Sequence, residues 1–564
     1  MHLKKLYIFA LIFSLGFSAV RASSPQAYIH TDRYCYASGD IAFIKAYLPA
    51  YLNCNCKQTL FIDILSPKGS FLYGELLKMD NGLAQGYLPV HDSLQTGYYT
   101  IRAYTDESKN TSRKIIAQKN IYVANRFAGN EKVYENAEIP VVNKTNSGNN
   151  QTGKCSIKLN KASYTSREQT SFTLLNSSDQ ELYASITVKP SYKLESELST
   201  KNYPINQLKE LPSTNSGNTT SATDPGIVIS GIVSEQSTGK VLENTVVFLS
   251  FQDSLIRLRY DITDADGNFC FYLNGYHGQQ TAYLNAFRYP EMSQLTNVTF
   301  EMNSNFLDEK GENLTGKVIG FKPASDTMTV LKSIVKKAYQ QASSNNIDIP
   351  LRDTLPLESI FLTGKISQTV FPGDFIRLKD FEDIAREILP LVRYRETKEG
   401  YKLSLIDSKS EIVRENPVVF IDGVPTTDYE LFASLSTDKI ERIDIKSQPR
   451  AFGDVLFENG MLFIQTKKNN FWSLNTQTYN PEIVLQCHQL PLEIIFPDYS
   501  EKNLAENPDF RHILYWNPSV TLTPDESWQG SFYTSDEKGE FVVILEGISK
   551  TGEPVYQQKI ITVQ

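Results

Sequence analysis

Pro417-Val418-Val419-Phe420-Ile421-Asp422-Gly423-Val424-Pro425 decides how the second half of this chain is read. The apolar run is a strand buried on both faces, and Asp-Gly stops it in a tight turn. About fifteen residues on, Ile440-Glu441-Arg442-Ile443-Asp444-Ile445 alternates as a half-buried strand should. A third strand, Gly460-Met461-Leu462-Phe463-Ile464-Gln465-Thr466-Lys467-Lys468, closes the set. Upstream, Phe381, Ile384, Ala385 and Ile388 share one face of a helix that halts at Pro390. A further short helix is expected between the Asp-Gly turn and Ile440.

That order of strand, Asp-Gly turn, short helix, alternating strand, Gly and strand ending in Thr-Lys-Lys resembles the plug domain of TonB-dependent outer-membrane receptors. The resemblance covers 351–468 and implies a small α+β domain. It departs from working receptors in two places. Leu403-Ser404-Leu405-Ile406-Asp407 stands where an Arg-Gly element is expected, and no TonB box is recognisable near the expected mature N-terminus. A receptor barrel also needs about twenty-two strands of alternating polarity, and 470–564 is too short for them.

Working back toward the start, residues 25–125 hold short alternating strands with turn signals every eight to twelve residues, as in a β-sandwich. Examples are Ile41–Leu48, Leu60–Leu65 and Gly97–Thr105. The ordered phrases Tyr28–Arg33, Tyr36–Asp40, Asn81–Ala84 and Leu94–Tyr99 resemble a macroglobulin-like domain of bacterial α2-macroglobulins. The same style recurs at 154–212, read as a second, smaller sandwich. Ser213–Pro225 is too polar to bury a core and reads as a linker. Residues 226–300, with Ile229-Ser230-Gly231-Ile232-Val233 and Asp264-Ala265-Asp266-Gly267-Asn268, resemble a carboxypeptidase-regulatory-like sandwich, a type without peptidase activity. A connector at 301–350 carries Leu331, Ile334, Val335, Ala338, Tyr339 and Ala342 at helical spacing. Residues 470–564 read as a C-terminal macroglobulin-like sandwich. The expected fold is therefore mainly β: tandem macroglobulin/immunoglobulin-like β-sandwiches with one small α+β plug-like domain.

Residues 1–22 read as a signal peptide. Lys4 and Lys5 precede an apolar core, Leu6–Phe17, too short to span a bilayer, and Val20-Arg21-Ala22 predicts a mature start at Ser23. No later apolar run has the length of a membrane helix. The 56 basic and 64 acidic residues are well mixed and the net charge is −8, so nucleic-acid binding has no electrostatic support. Six thinly spread cysteines make no disulfide scaffold. Cys35 with either Cys54 or Cys56 is the one bridge expected, and Cys155, Cys270 and Cys487 read as isolated buried thiols.

Chemistry-bearing patterns are sparse. Asp264, Asp266 and Asn268 begin like a calcium loop but lack the remaining ligands, and a Gly-bearing turn explains them. Cys487-His488-Gln489 sets a thiol beside an imidazole, yet neighbours on a strand face opposite ways, which predicts a buried Cys and a surface His. His2, His30, His91, His277, His488 and His512 show no metal-site spacing. No Gly-x-Ser-x-Gly elbow, phosphate loop or dinucleotide fingerprint occurs. No catalytic, cofactor-binding or metal residue is assigned. The resemblances imply a non-enzymatic, exported Gram-negative envelope protein, periplasmic or outer-membrane-associated, contacting an envelope partner such as an outer-membrane receptor. An accessory of a TonB-dependent uptake system and a protease-defence protein without a thioester are the other readings.

Overall fold

The computed structural model describes residues 27–105, 116–127, 154–191, 202, 204–208, 226–252, 257–311, 366–500 and 508–564, except 53, 55, 56, 408, 476, 478, 491 and 493. The signal segment, the 213–225 linker and the Leu331–Ala342 helix lie outside the described residues. The chain is β-rich, as tandem sandwich-like sheets with one α+β module.

Eight strands of the first sandwich run in one hydrogen-bonded path. Their order is Tyr28–Thr31, Ile41–Tyr47, Leu83–Pro89, Phe71–Asp80, Lys57–Leu65, Gly97–Thr105, Ala117–Ala124 and Cys35–Ala37. Phe71–Asp80 and Leu83–Pro89 share only Met79↔Ala84 and Asp80↔Leu83. The path folds over there, and its apolar face closes on Ile44, Leu60, Ile62, Leu77, Ile101 and Ile121.

The two sandwiches expected at 154–212 and 470–564 are one, built from strands within 155–190 and 515–563. Leu182–Pro190 lies between Gly539–Ser549 on one edge and Tyr515–Leu522 on the other. Gln169–Asn176 lies between Cys155–Leu159 and Ser527–Tyr533. The physical reason is visible in Leu182–Pro190, where only Tyr183 escapes full burial. A strand covered that completely needs two neighbours and an opposing sheet, more than 155–190 alone can supply. The shared core joins Phe172, Leu174, Ile186 and Val188 to Leu522, Phe541, Val543 and Leu545. The inserted sandwich and the α+β module lie in sequence between the two halves of this closing sandwich, and the first sandwich precedes both.

Within the insertion, Ile227–Glu235, Asn268–Leu273 and Val298–Met302 form one sheet of a sandwich. Thr245–Phe251, Arg257–Ile262, Gln279–Arg288, Ser293–Gln294 and the distant Glu482–Gln486 form the other. The α+β module has a five-stranded sheet in the order Gln368–Val370, Ile440–Lys446, Met461–Thr466, Val418–Ile421, Val424–Thr426. Val418–Ile421 and Met461–Thr466 run parallel. Helix Phe381–Ile388 is capped by the Asp380 carboxylate on Asp383 N and buries Phe381, Ile384 and Ala385.

Two local expectations change. The short helix between Pro425 and Ile440 is a series of turns, with i→i−3 bonds such as Ala433 N to Glu430 O and Leu435 N to Phe432 O. Tyr429, Phe432 and Leu435 recur every third residue and all enter the core, so 3₁₀-like turns suffice. In Ile440–Lys446, Ile440 and Ile443 are both buried although an odd spacing should put them on opposite faces. A bulge between Ile440 and Arg442 shifts the register and resolves the conflict.

Candidate functional site

Among the described residues, a dense polar cluster joins the first sandwich to the closing one. On Tyr28–Thr31, Ile29 enters the first sandwich's core, which turns Tyr28 and His30 outward. On Leu182–Pro190, Ile186 and Val188 point inward and Ser185 and Thr187 outward. Ser185 is the cross-strand partner of Glu546. His30 Nδ1 lies 2.5 Å from Ser185 Oγ and its Nε2 3.3 Å from Glu546 Oε2. Tyr28 OH donates to Glu546 Oε2 at 2.9 Å, Tyr47 OH donates to Glu546 O at 2.9 Å, and Thr187 Oγ1 donates to Asp32 O at 3.0 Å. Lys119 and Lys189 stand over the Tyr34 ring at 4.7 and 4.6 Å.

Ser185, His30 and Glu546 are the residue types of a hydrolytic triad, but their setting is that of a joint. Ser185 is 0% exposed and His30 3%. The Tyr47 hydroxyl is 2.7 Å from Ser185 Oγ, and Trp516 packs edge-on against the imidazole at 5.0 Å. No carbonyl can approach Oγ without separating the sandwiches. Burial, helped by Lys119 and Lys189, holds the His30 pKa well below the usual imidazole value. Burial also raises the Glu546 carboxyl, against the pull of Lys119. Sequence reading missed this cluster because its members lie on five strands spread from residue 28 to residue 546. Its only trace is the polar residues at outward positions of strands that are otherwise buried.

Cys487-His488-Gln489 forms a strap across three parts of the chain. Cys487 is buried in the inserted sandwich's core, which pushes its thiol up to about 12. His488 is not on the surface, contrary to expectation. It is 3% exposed and its Nε2 meets Thr59 Oγ1 at 2.8 Å, because a second module covers the strand's other face. Gln489 pairs with the Tyr87 backbone like a strand residue, accepting from N and donating to O, both at 2.8 Å. Asp264 Oδ1 accepts from Asp266 N and Asn268 N, so its carboxylate closes its own turn around Gly267 (φ +73°). Cys54 is disulfide-bonded while Cys35 keeps a buried thiol, so the expected bridge from Cys35 is not made; Cys56 lies outside the described residues. The Cys35 strand pairs in parallel with Ala117–Ala124, and its Tyr36 enters the first sandwich's core.

The other histidines do not converge. His91 packs on Tyr73, His277 lies beside His488 with ring centroids 6.4 Å apart, and His512 is buried. His2 lies outside the described residues. A second kind of site is the surface at the edge of the α+β sheet. Among the described residues, strand Gln368–Val370 is its outermost strand, and it leads into Phe371, Phe375 and Ile376, exposed by 46%, 50% and 80%. The Arg442 guanidinium lies 5.9 Å from the Phe371 ring centre.

No family model and no curated protein sequence matches this chain. Among solved structures it is similar to Salmonella α2-macroglobulin reacted with methylamine, at 9% identity and a TM-score of 0.23, over 96% of this chain and 39% of that one. Escherichia coli α2-macroglobulin activated by porcine elastase gives 10% identity and a TM-score of 0.24, over 96% and 44%. The E. coli adhesin FdeC gives 9% and 0.15, over 50% and 64%. The chain thus spans less than half the length of these macroglobulins. With scores this low, the fold description rests on this chain's own strand pairings.

Proposed function

We propose that this protein is an exported, non-enzymatic component of a bacterial envelope that holds a partner protein at the open edge of its α+β sheet. The observation carrying the reading is that Gln368–Val370 is the outermost of the described strands and is continued by exposed Phe371, Phe375 and Ile376. An open strand edge is a template for another chain's strand, and large apolar side chains beside it add a hydrophobic anchor. The rest of the molecule acts as a mount. The polar joint and the Cys487–Gln489 strap fix the modules to one another, which presents the edge at low conformational cost. The non-enzymatic part is supported by the sealing of Ser185 and His30 beneath Tyr47 and Trp516. The partner we favour is an outer-membrane receptor, on the plug-like pattern of 351–468.

A photo-crosslinking residue in place of Ile376, introduced in the producing bacterium, tests this. The expected result is one discrete adduct in the envelope fraction, absent when the probe replaces exposed Lys559 instead and lost with Phe371→Ser and Phe375→Ser. Equal adducts from positions 376 and 559, or none from 376, would overturn it.

A further inference from the structure

Strand Gln279–Arg288 turns Leu284 and Ala286 into its own sandwich core, and Tyr283 and Phe287 toward the α+β module. Alternation places Asn285 on that second face, in the seam between the modules. Asn285 is 0% exposed, and neither its Nδ2 nor its Oδ1 has a hydrogen-bond partner. On one side, pairing with the Glu482 strand reaches Tyr283↔Glu482, and Leu284 N donates to Pro481 O at 3.3 Å. One step further in that register sets Asn480 across from Asn285. Asn480 is 2% exposed, and both its amide atoms also lack partners. Nearby, Gln294 pairs with Phe287 and accepts from Thr426 Oγ1 and Thr427 N, yet its buried Nε2 has no acceptor. Three amides thus bring five unpaired polar atoms to one face.

The surrounding groups are apolar or already satisfied. Tyr283 OH reaches Gln252 and Glu482, Tyr479 OH reaches Asp428, and Trp472 Nε1 donates to Ile421 O. Buried amides left unpaired are costly and rare in folded chains. A guest here must both donate to Oδ1 and accept from Nδ2. An anion would face the bare amide oxygens and a cation the amide protons, while a hydroxyl group satisfies both. We propose that this seam is a binding site for ordered water, whose O–H groups bridge the unpaired amides between the two modules.

The test is a crystal structure of the mature full-length protein at a resolution that shows water, with thermal melts of wild type, Asn285→Leu and Asn480→Ser. Oxygen density within hydrogen-bond distance of Asn285 and Asn480, with Asn285→Leu lowering Tm by about 2 °C or more, is the expected result. Asn480→Ser keeps a donor and acceptor and should lose less. No density at the two asparagines overturns the proposal, as does a higher Tm for Asn285→Leu, because a dry seam gains when an unpaired amide is removed.

Discussion

His30 shows how one residue ties chain ends together. It faces Glu546 at 3.3 Å, Ser185 at 2.5 Å and the ring of Trp516, with Lys119 and Lys189 near enough to disfavour a further positive charge. Its folded pKa is depressed, so below about pH 6.5 the unfolded chain takes up a proton that the closed joint refuses. Stability therefore falls with pH through His30, by up to about 1.4 kcal/mol per pH unit. Glu546 runs the other way. Its raised pKa lets the folded joint hold a proton that the unfolded chain has lost, so acid adds stability through it. His30→Gln isolates the first effect: in urea unfolding between pH 7.5 and 5, wild type should lose stability more steeply than the variant. Parallel slopes would show that the imidazole does not titrate with unfolding.

At the scale of an element, the Asp-Gly hairpin was the most legible part of the sequence. Asp422 (φ +47°) and Gly423 (φ +85°) both take the left-handed conformation that a two-residue I′ turn demands. What the pattern did not reveal is a second task for Asp422. Its buried carboxylate accepts from Thr466 N and Thr466 Oγ1, both at 2.7 Å, and from Phe471 N at 3.0 Å. Asp422→Ala orphans two buried amides and should cost about 3 kcal/mol, whereas Asp422→Asn should cost less; urea unfolding checks both. Helix Phe381–Ile388 was legible too, because its apolar spacing and the stop at Pro390 are local signals. The bulge after Ile440 and the turns at 427–439 were not, because each depends on what tertiary packing asks of a short apolar residue set. Nor could the burial of His488 be read, since the covering surface comes from Thr59, some four hundred residues away in sequence.

For the whole molecule, alternation predicted a mainly β chain but not which strands pair. The two halves of the closing sandwich each look like a small domain, since period-two patterning is the same whether a strand's neighbour is nine residues away or three hundred. The joint at His30 and the unpaired amides of the Asn285 seam share that origin, because each arises where distant segments meet. The central claim is that 155–190 and 515–563 complete a single sandwich around everything between them. Hydrogen exchange by mass spectrometry, comparing the full chain with one ending at residue 507, addresses it directly. The account predicts that the truncated chain loses protection throughout Cys155–Leu159, Gln169–Asn176 and Leu182–Pro190 while the Lys57–Leu65 and Gly97–Thr105 strands stay protected. Unchanged protection of Leu182–Pro190 in the truncated chain would contradict it.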